Sequence, residues 1–138
     1  MNDKKRITSY HDLEVYQNTY NACLEVMKHI VPRLPERKKY DLVQQLSRSS
    51  KAIPRLIAEG YAKRHQKSGF QKYLEDTMAE CNETAVGLCQ TKDIYGKCVD
   101  LALYNTLIDL HDKSVRQIYN VASAWRKFRK NGKSDADK

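Results

Sequence analysis

Apolar residues recur along the chain at spacings of three and four, which is the period of an α-helix with one buried face. Four such segments can be distinguished, over residues 13–31, 36–64, 68–95 and 101–129. No stretch of the sequence shows the alternation of apolar and polar residues that is typical of a half-buried strand. The pattern therefore predicts four long helices.

Residues that begin, end or bend helices support these boundaries. Asp12 and Ser68 are predicted N-caps of the first and third helices, and Pro32 and Gly96 are predicted to end them. Pro54 lies inside the second segment, where its ring removes one backbone hydrogen bond. We expect the second helix to bend there.

Four helices with short connections predict an all-α fold, an up-down-up-down four-helix bundle. The chain has 138 residues, which fits one domain of ordinary size. We place the bundle domain at residues 1–130 and a disordered basic and polar tail at residues 131–138.

The apolar residues of the second segment cover roughly half of the helix circumference, more than one bundle seam requires. They are Leu42, Val43, Leu46, Ala52, Ile53, Leu56 and Ile57. Two interpretations stay open. The helix packs deeply between two neighbours, or it presents a second apolar surface for self-association.

The amino-acid composition is that of a soluble, basic protein. Hydrophobic residues make up 41% of the chain, which is enough for a core. No apolar run approaches the roughly 20 residues of a membrane span, and the N-terminal residues lack a signal-peptide core. We therefore expect a cytoplasmic protein with no membrane partner. The net charge of +8 favours anionic partners.

No catalytic or metal-binding motif is present in the sequence, which lacks a P-loop, G-x-S-x-G and H-E-x-x-H. His111 lies on the apolar stripe of the fourth segment, where a hydrogen-bonded core histidine is expected. The cysteines show no C-x-x-C spacing, so we interpret them as small buried hydrophobic residues: Cys23, Cys81, Cys89 and Cys98. We expect no enzyme activity, no catalytic residues, no cofactor and no metal.

Positive charge is concentrated in two segments. Residues 33–72 carry 11 basic against 3 acidic residues, and residues 113–134 carry 7 basic residues and none that is acidic. The candidate nucleic-acid-binding residues are Arg37, Arg48, Lys51 and Arg55 on the second helix, Lys63, Arg64 and Lys67 at its C-terminal end, and Arg126, Lys127, Arg129 and Lys130 at the end of the fourth. Clustered cations of this kind can follow the phosphate backbone of RNA or DNA.

A structural interpretation of the same cations stays open. Basic residues at a helix C-terminus offset the macrodipole, and Arg55 with Glu59 has the spacing of an ordinary i,i+4 ion pair. Trp125 has two interpretations as well, as a core or subunit-interface residue or, with its basic neighbours, as a base-stacking residue.

Three stretches resemble motifs of a bacterial protein family. Residues 9–17 (SYHDLEVYQ) resemble (F/Y)-x-D-L-x-V-(W/Y)-(Q/K), and residues 40–50 (YDLVQQLSRSS) resemble Y-x-L-x-x-Q-L-x-R-(A/S). Residues 52–61 (AIPRLIAEGY) resemble S-I-P-x-N-I-A-E-G-(F/Y). The family comprises the four-helix-bundle proteins named after 23S rRNA intervening sequences, which are related to the Avd accessory proteins of diversity-generating retroelements.

The chain departs from the family pattern at two places. Leu56 replaces the Asn of the third motif, and Ala79 and Glu80 replace a Gly-Ser pair, whereas the Glu that follows is kept as Glu83. The basic segment after Trp125 is more similar to the Avd branch.

The resemblance implies a bundle that assembles as a ring-shaped homopentamer. For the Avd branch it further implies binding to nucleic acid and to a retroelement reverse transcriptase. We therefore expect a non-catalytic, oligomeric nucleic-acid-binding accessory protein, with a reverse transcriptase as a candidate partner. The alternative is a protein-interaction or structural bundle of the intervening-sequence type without a nucleic-acid role.

Overall fold

A computed structural model describes residues 7–34, 39–66 and 68–132, with side chains except at positions 39–40, 98 and 128–132. Four α-helices make up this part of the chain, and it contains no strand. They are α1 (Glu14–Glu25), α2 (Gln44–Ala62), α3 (Gly69–Ile94) and α4 (Leu101–Gly132). The predicted all-α four-helix bundle is confirmed.

Two of the predicted helices contain π-helical turns that the apolar pattern did not indicate. After α1 the chain continues as a π-helical turn at Val26–Ile30 and a 3-10 turn at Val31–Arg33. A second π-helical turn, Lys39–Val43, leads into α2. The helical path of the first segment thus ends close to Pro32, as predicted.

The N-cap predicted at Asp12 is wrong. Asp12 ends a 3-10 turn that precedes α1, and its carboxylate accepts backbone hydrogen bonds from Thr8 and Ser9 at 2.9 and 3.2 Å. The N-cap position of α1 is Leu13, which has no polar side chain. The carboxylate therefore stabilises the turn before the helix.

The other predicted boundaries lie close to the observed ones. Ser68 is the N-cap residue of α3, in the left-handed backbone region with φ of 63°, although its hydroxyl makes no capping hydrogen bond. Asp100 caps α4 by accepting a hydrogen bond from the backbone N–H of Leu103. α4 continues to Gly132, beyond its predicted end, and the tail residues 133–138 lie outside the described residues.

The core consists of two apolar clusters, one toward each end of the bundle. The first contains Val15, Ile53, Ile57, Phe70, Leu74, Cys81, Ile118 and Ala122, and the second contains Ala22, Val26, Ile30, Leu34, Leu46, Leu88, Tyr104 and Leu107. The first cluster draws on the beginnings of α1 and α3 and on the ends of α2 and α4. This distribution is that of an up-down-up-down bundle.

Buried polar residues separate the two clusters along every helix. They are Thr19 on α1, Ser49 and Ser50 on α2, Thr84 on α3, and His111 and Ser114 on α4. The Thr84 hydroxyl donates a hydrogen bond to Ser49 Oγ at 2.8 Å, which joins α2 to α3. Most of the other hydroxyls bond a carbonyl four residues back in their own helix.

The broad apolar arc of the second helical segment, which comprises the π-helical turn and α2, is explained mostly by packing within the chain. α2 contacts both α1 and α3, and five residues of the arc are buried: Leu42, Leu46, Ala52, Ile53 and Ile57. Val43 and Leu56 stay partly exposed. The interpretation of a helix packed deeply between two neighbours therefore accounts for most of the arc.

The third family-like motif lies in α2, and its glycine has an identifiable packing role. A Cβ atom at Gly60 would lie 2.7 Å from the Cβ atom of Tyr73 and 3.2 Å from a ring atom of Phe70, so glycine allows α2 to approach α3 closely. Pro54 is buried, and α2 continues through it without interruption. The bend at Pro54 stays a prediction.

None of the helices in the described residues combines the length and the apolar character that crossing a membrane requires.

Candidate nucleic-acid interface

The C-terminal end of α2 lies against the C-terminal part of α4. The indole Nε1 of Trp125 donates a hydrogen bond to the backbone carbonyl oxygen of Arg64 at 3.1 Å. Phe70, at the start of α3, packs edge-on against the same indole, with ring centroids 5.5 Å apart. Two basic segments that are 61 residues apart in the sequence therefore meet at one end of the bundle.

Gln71 on α3 orients a cation of α4. Its side-chain Nε2 donates to the carbonyl oxygen of Ala122 at 2.7 Å, and its Oε1 accepts a hydrogen bond from Arg126 Nη2 at 3.0 Å. Arg126 is exposed and is held by a neutral amide. Its full positive charge therefore remains available at the surface.

The cations at the end of α2 are also positioned by neutral groups. Lys63 Nζ donates to the hydroxyl of Tyr73 at 3.1 Å, and this hydrogen bond raises the pKa of Lys63. The guanidinium of Arg64 lies 4.0 Å from the ring centroid of Tyr61 and donates to its carbonyl oxygen at 2.8 Å. None of these contacts supplies a negative charge, so neither cation is neutralised by the groups that position it.

We call Lys63, Arg64, Arg126 and Lys127 the basic end. Within the described part of the chain, no carboxylate lies within 4 Å of any of these four cations. Lys67 and the side chains of Arg129 and Lys130 lie outside the described residues. The structure thus brings members of two predicted clusters together at one site.

We call the four candidate cations predicted on the second helix the basic ridge: Arg37, Arg48, Lys51 and Arg55. One member of this ridge forms a cross-helix ion pair. Arg48 donates to both carboxylate oxygens of Glu80 at 3.2 and 3.3 Å and also pairs with Glu83. These two glutamates raise the pKa of Arg48, with the Glu83 hydrogen bond as the largest cause. Arg48 thus already has two anionic partners, which a phosphate would have to displace.

Lys51 and Arg55 differ from Arg48. Both are exposed, and neither has an ion pair among the described residues; in particular, Arg55 does not pair with Glu59. They are therefore the two ridge cations that the structure leaves available for phosphate. Arg37, the remaining ridge residue, lies outside the described residues.

Tyrosines of the N-terminal region adjoin Lys51 and Arg55 and were not among the predicted site residues. Tyr10 and Tyr16 pack edge-on with centroids 4.8 Å apart, and the centroids of Tyr16 and Tyr20 are 5.9 Å apart. The three rings line an open groove of about 380 Å³ together with Lys51 and Arg55. The i,i+4 spacing of Tyr16 and Tyr20 was the available sequence signal.

A larger cavity of about 540 Å³ lies beside the basic end. It is lined by Ile7 and Leu13 before α1, Tyr61, Arg64 and His65 at the end of α2, Phe70 on α3, and Val121, Ala124 and Trp125 on α4. Its volume is within the range of about 300–1,000 Å³ that is typical of ligand-binding pockets.

His111 and the cysteines, all predicted to be core residues, differ in how far they are buried. His111 is buried, as predicted, and its Nδ1 lies 2.8 Å from the carbonyl oxygen of Leu107. Burial raises the pKa of the Cys81 thiol to about 12. Cys23 and Cys89 are half-buried and form no disulfide, and the side chain of Cys98 is not described. No group of three or more potential metal ligands occurs in the described residues.

Comparison with protein families identifies one match. The model of the family described as 23S rRNA-intervening sequence protein matches residues 11–120. This match covers most of the chain and includes the second and third stretches that resemble the family motifs, together with all but the first two residues of the first stretch. No significant match was found among curated proteins or among solved structures.

Proposed function

Because the chain belongs to the 23S rRNA-intervening sequence protein family, we propose that it is a non-catalytic, oligomeric protein that binds the phosphate backbone of RNA or DNA. The observation that carries this proposal is the convergence of Lys63, Arg64, Arg126 and Lys127 at one end of the bundle, each positioned by neutral groups or exposed. Cations without carboxylate partners can exchange their counterions for phosphates, which is the main source of sequence-independent affinity.

The proposed biological setting is that of an accessory protein. The basic segment after Trp125 is similar to the Avd branch, and on this basis we propose a retroelement reverse transcriptase as the protein partner. A reverse-transcriptase gene and a template repeat next to this gene would support the assignment. If neither is adjacent, the proposed partnership loses its setting.

Assembly as a ring-shaped homopentamer in the cytoplasm is part of the same proposal. Large hydrophobic side chains that stay exposed on the monomer could contribute to subunit contacts: Tyr20, Val86, Ile94, Leu101 and Tyr119. A ring repeats each cation in every subunit, so a small cluster on one chain gains affinity through multivalency.

The direct test replaces the cations at the end of α4 by glutamine: Arg126→Gln, Lys127→Gln, Arg129→Gln and Lys130→Gln. No acidic residue lies between Lys113 and Gly132, so nearby carboxylates in the sequence do not offset these charges. Each phosphate contact contributes roughly −0.7 to −0.9 to the slope of log K against log salt. We therefore expect weaker binding and a flatter salt slope, with helicity and oligomeric mass unchanged.

A matched control removes four cations at the opposite end of the bundle: Lys28→Gln, Arg33→Gln, Lys92→Gln and Lys97→Gln. Its net charge equals that of the first variant, so a general charge effect would weaken both equally. If the wild-type protein retains neither RNA nor DNA at about 50 mM salt, where such contacts are strong, the nucleic-acid function is wrong.

A protein-interaction or structural bundle is the second candidate function. The pairing of Arg48 with Glu80 and Glu83 favours it, because part of the predicted basic ridge then serves to join α2 to α3. This function predicts that the two glutamine variants and the wild-type protein behave alike toward nucleic acid.

A further inference from the structure

The cavity beside Trp125 has a lining suited to a flat, apolar group. Four of its nine lining residues carry rings, namely Tyr61, His65, Phe70 and Trp125, and none of the nine carries a carboxylate. The indole of Trp125 is held from two directions, by its hydrogen bond to Arg64 and by the edge-on ring of Phe70. The ring is therefore oriented before any ligand binds.

Positive charge surrounds this apolar lining. Arg64 is itself a lining residue, and Arg126 is adjacent in sequence to Trp125. Arg126 is held by Gln71, and Lys127 is exposed on the following residue of α4. An anionic chain that carries flat rings matches both the lining and the charge.

We infer that the cavity binds an unpaired base of single-stranded nucleic acid, which lies against Trp125 while the flanking phosphates contact Arg64 and Arg126. This inference rests on the proposed nucleic-acid function and deepens it by naming the strand class. Aromatic side chains beside cations recognise single strands in this way, because every base has a face that can stack and paired bases expose none at the surface.

The distribution of rings indicates where the base stacks. The guanidinium of Arg64 lies over the ring of Tyr61, and Phe70 is buried. His65 is exposed and lies 6.1 Å from Trp125 between ring centroids. We therefore assign the base to Trp125 and His65. An acidic amphipathic peptide is the competing occupant, and the experiment below distinguishes it.

The chain has a single tryptophan, so tryptophan emission, excited selectively over the tyrosines, reports on this cavity alone. Three probes of equal length are titrated at about 50 mM salt: an oligothymidine, the corresponding abasic oligomer, and a DNA duplex. We expect the oligothymidine to quench the emission of Trp125. We expect the abasic oligomer to bind about tenfold more weakly, as the loss of one stacked base implies, and without quenching.

A variant that fills the cavity tests the same point without changing the charge. Ala124 is exposed and lines the cavity, so Ala124→Phe should reduce oligothymidine affinity by about tenfold while leaving abasic and duplex binding unchanged. Ala102→Phe is the matched control, because Ala102 is also exposed on α4 but lies near its other end. It should bind all three probes like the wild-type protein.

The outcomes separate the inference from the function on which it rests. Equal affinity for oligothymidine and its abasic counterpart, with no quenching, overturns the base-binding inference but leaves backbone binding in place. Quenching by a Glu- and Phe-rich peptide, without quenching by oligothymidine, also overturns it and assigns the cavity to a protein segment. Failure of all nucleic-acid probes to bind overturns the proposed function itself.

Discussion

Trp125 donates its indole N–H to the carbonyl oxygen of Arg64, and this hydrogen bond links α4 to the turn that follows α2. A carbonyl just beyond a helix end has no donor within the helix and needs one from elsewhere. The indole supplies it from 61 residues further along the chain. The same contact fixes the cation-bearing ends of both helices beside each other.

Trp125→Phe should therefore lower the stability of the fold as well as affect binding. The substitution keeps an aromatic ring against Phe70 but leaves the Arg64 carbonyl oxygen without its donor. We expect a loss of about 1–2 kcal/mol in the free energy of unfolding. Urea denaturation followed by circular dichroism measures it. Tyr119→Phe, at an exposed ring, should change the value by less than about 0.5 kcal/mol.

The cross-helix pair predicts a difference among the ridge cations. Arg48 is paired with two glutamates, whereas Lys51 and Arg55 have no carboxylate partner among the described residues. Lys51→Gln with Arg55→Gln should therefore weaken nucleic-acid binding, and Arg48→Gln should leave it close to the wild-type value. Filter binding at two salt concentrations compares the variants. A larger loss for Arg48→Gln would show that phosphate competes successfully with Glu80 and Glu83.

The same substitution at two glycines should affect stability to different extents. A Cβ atom at Gly60 would lie 2.7 Å from Tyr73 Cβ, so Gly60→Ala should destabilise the fold by about 1–3 kcal/mol through overpacking. A Cβ atom at Gly96 would meet nothing within 4 Å, and no glycine has a positive φ. Gly96→Ala should therefore change stability by less than about 1 kcal/mol. Thermal unfolding distinguishes the two, and equal shifts would contradict the close approach of α2 to α3.

Stability should fall in mildly acidic solution because of His111. Burial lowers the pKa of this histidine in the folded state, and its Nε2 atom has no hydrogen-bond partner. Below about pH 6.5 the unfolded chain therefore binds a proton that the folded chain does not, and stability decreases with falling pH until the folded pKa is reached. The slope from this one group is at most about 1.4 kcal/mol per pH unit.

His111→Leu removes this titration. The difference in unfolding free energy between wild type and variant should therefore depend on pH between about 7 and 5, in the direction that favours the wild type at the higher pH. Urea denaturation at three pH values measures it. His29→Gln, at an exposed histidine, is the control. A difference that is constant over this range would contradict the lowered pKa.

Self-association is open to a direct measurement of mass. Light scattering at micromolar concentration should report about five times the monomer mass of 16.1 kDa. Leu56 is half-buried, and it replaces the Asn of the family motif. Leu56→Glu should lower the mass with helicity preserved if this face meets another subunit. A monomeric wild-type protein would overturn the ring proposal. A folded Leu56→Glu variant with unchanged mass would show that Leu56 does not lie at a subunit contact.

The periodicity of the sequence predicted the helices because it reflects burial within each helix. Ile53 and Ile57 on α2 are four residues apart, as are Ile118 and Ala122 on α4, and all four are buried. The same reasoning predicted a buried, hydrogen-bonded His111. These predictions depend only on which side of a helix a residue occupies.

The contacts of the candidate site depend on how the helices are aligned, and periodicity contains no information about that. Glu80 and Glu83 were visible as carboxylates three residues apart, but their partner Arg48 lies more than 30 residues away on α2. The approach of Trp125 to Arg64 is of the same kind. Asp12 was misassigned because its carboxylate bonds the backbone of the preceding turn, a local alternative that N-cap residues share.

The hydrogen bonds of the buried hydroxyls determine which polar core residues can be substituted singly. Thr77 and Thr91 each bond the carbonyl oxygen four residues earlier in their own helix, so neither imposes a requirement on a neighbouring helix. Valine could replace either one without stranding a polar group elsewhere. Ser49 and Thr84 bond each other across two helices, and Thr84 also bonds the carbonyl oxygen of Glu80 in its own helix. Loss of the Thr84 hydroxyl therefore leaves Ser49 to find a new partner, whereas Thr84 keeps the Glu80 carbonyl if Ser49 is replaced. Most of the polar core can thus be substituted one residue at a time, and Thr84 is the position at which a substitution also affects a neighbouring helix.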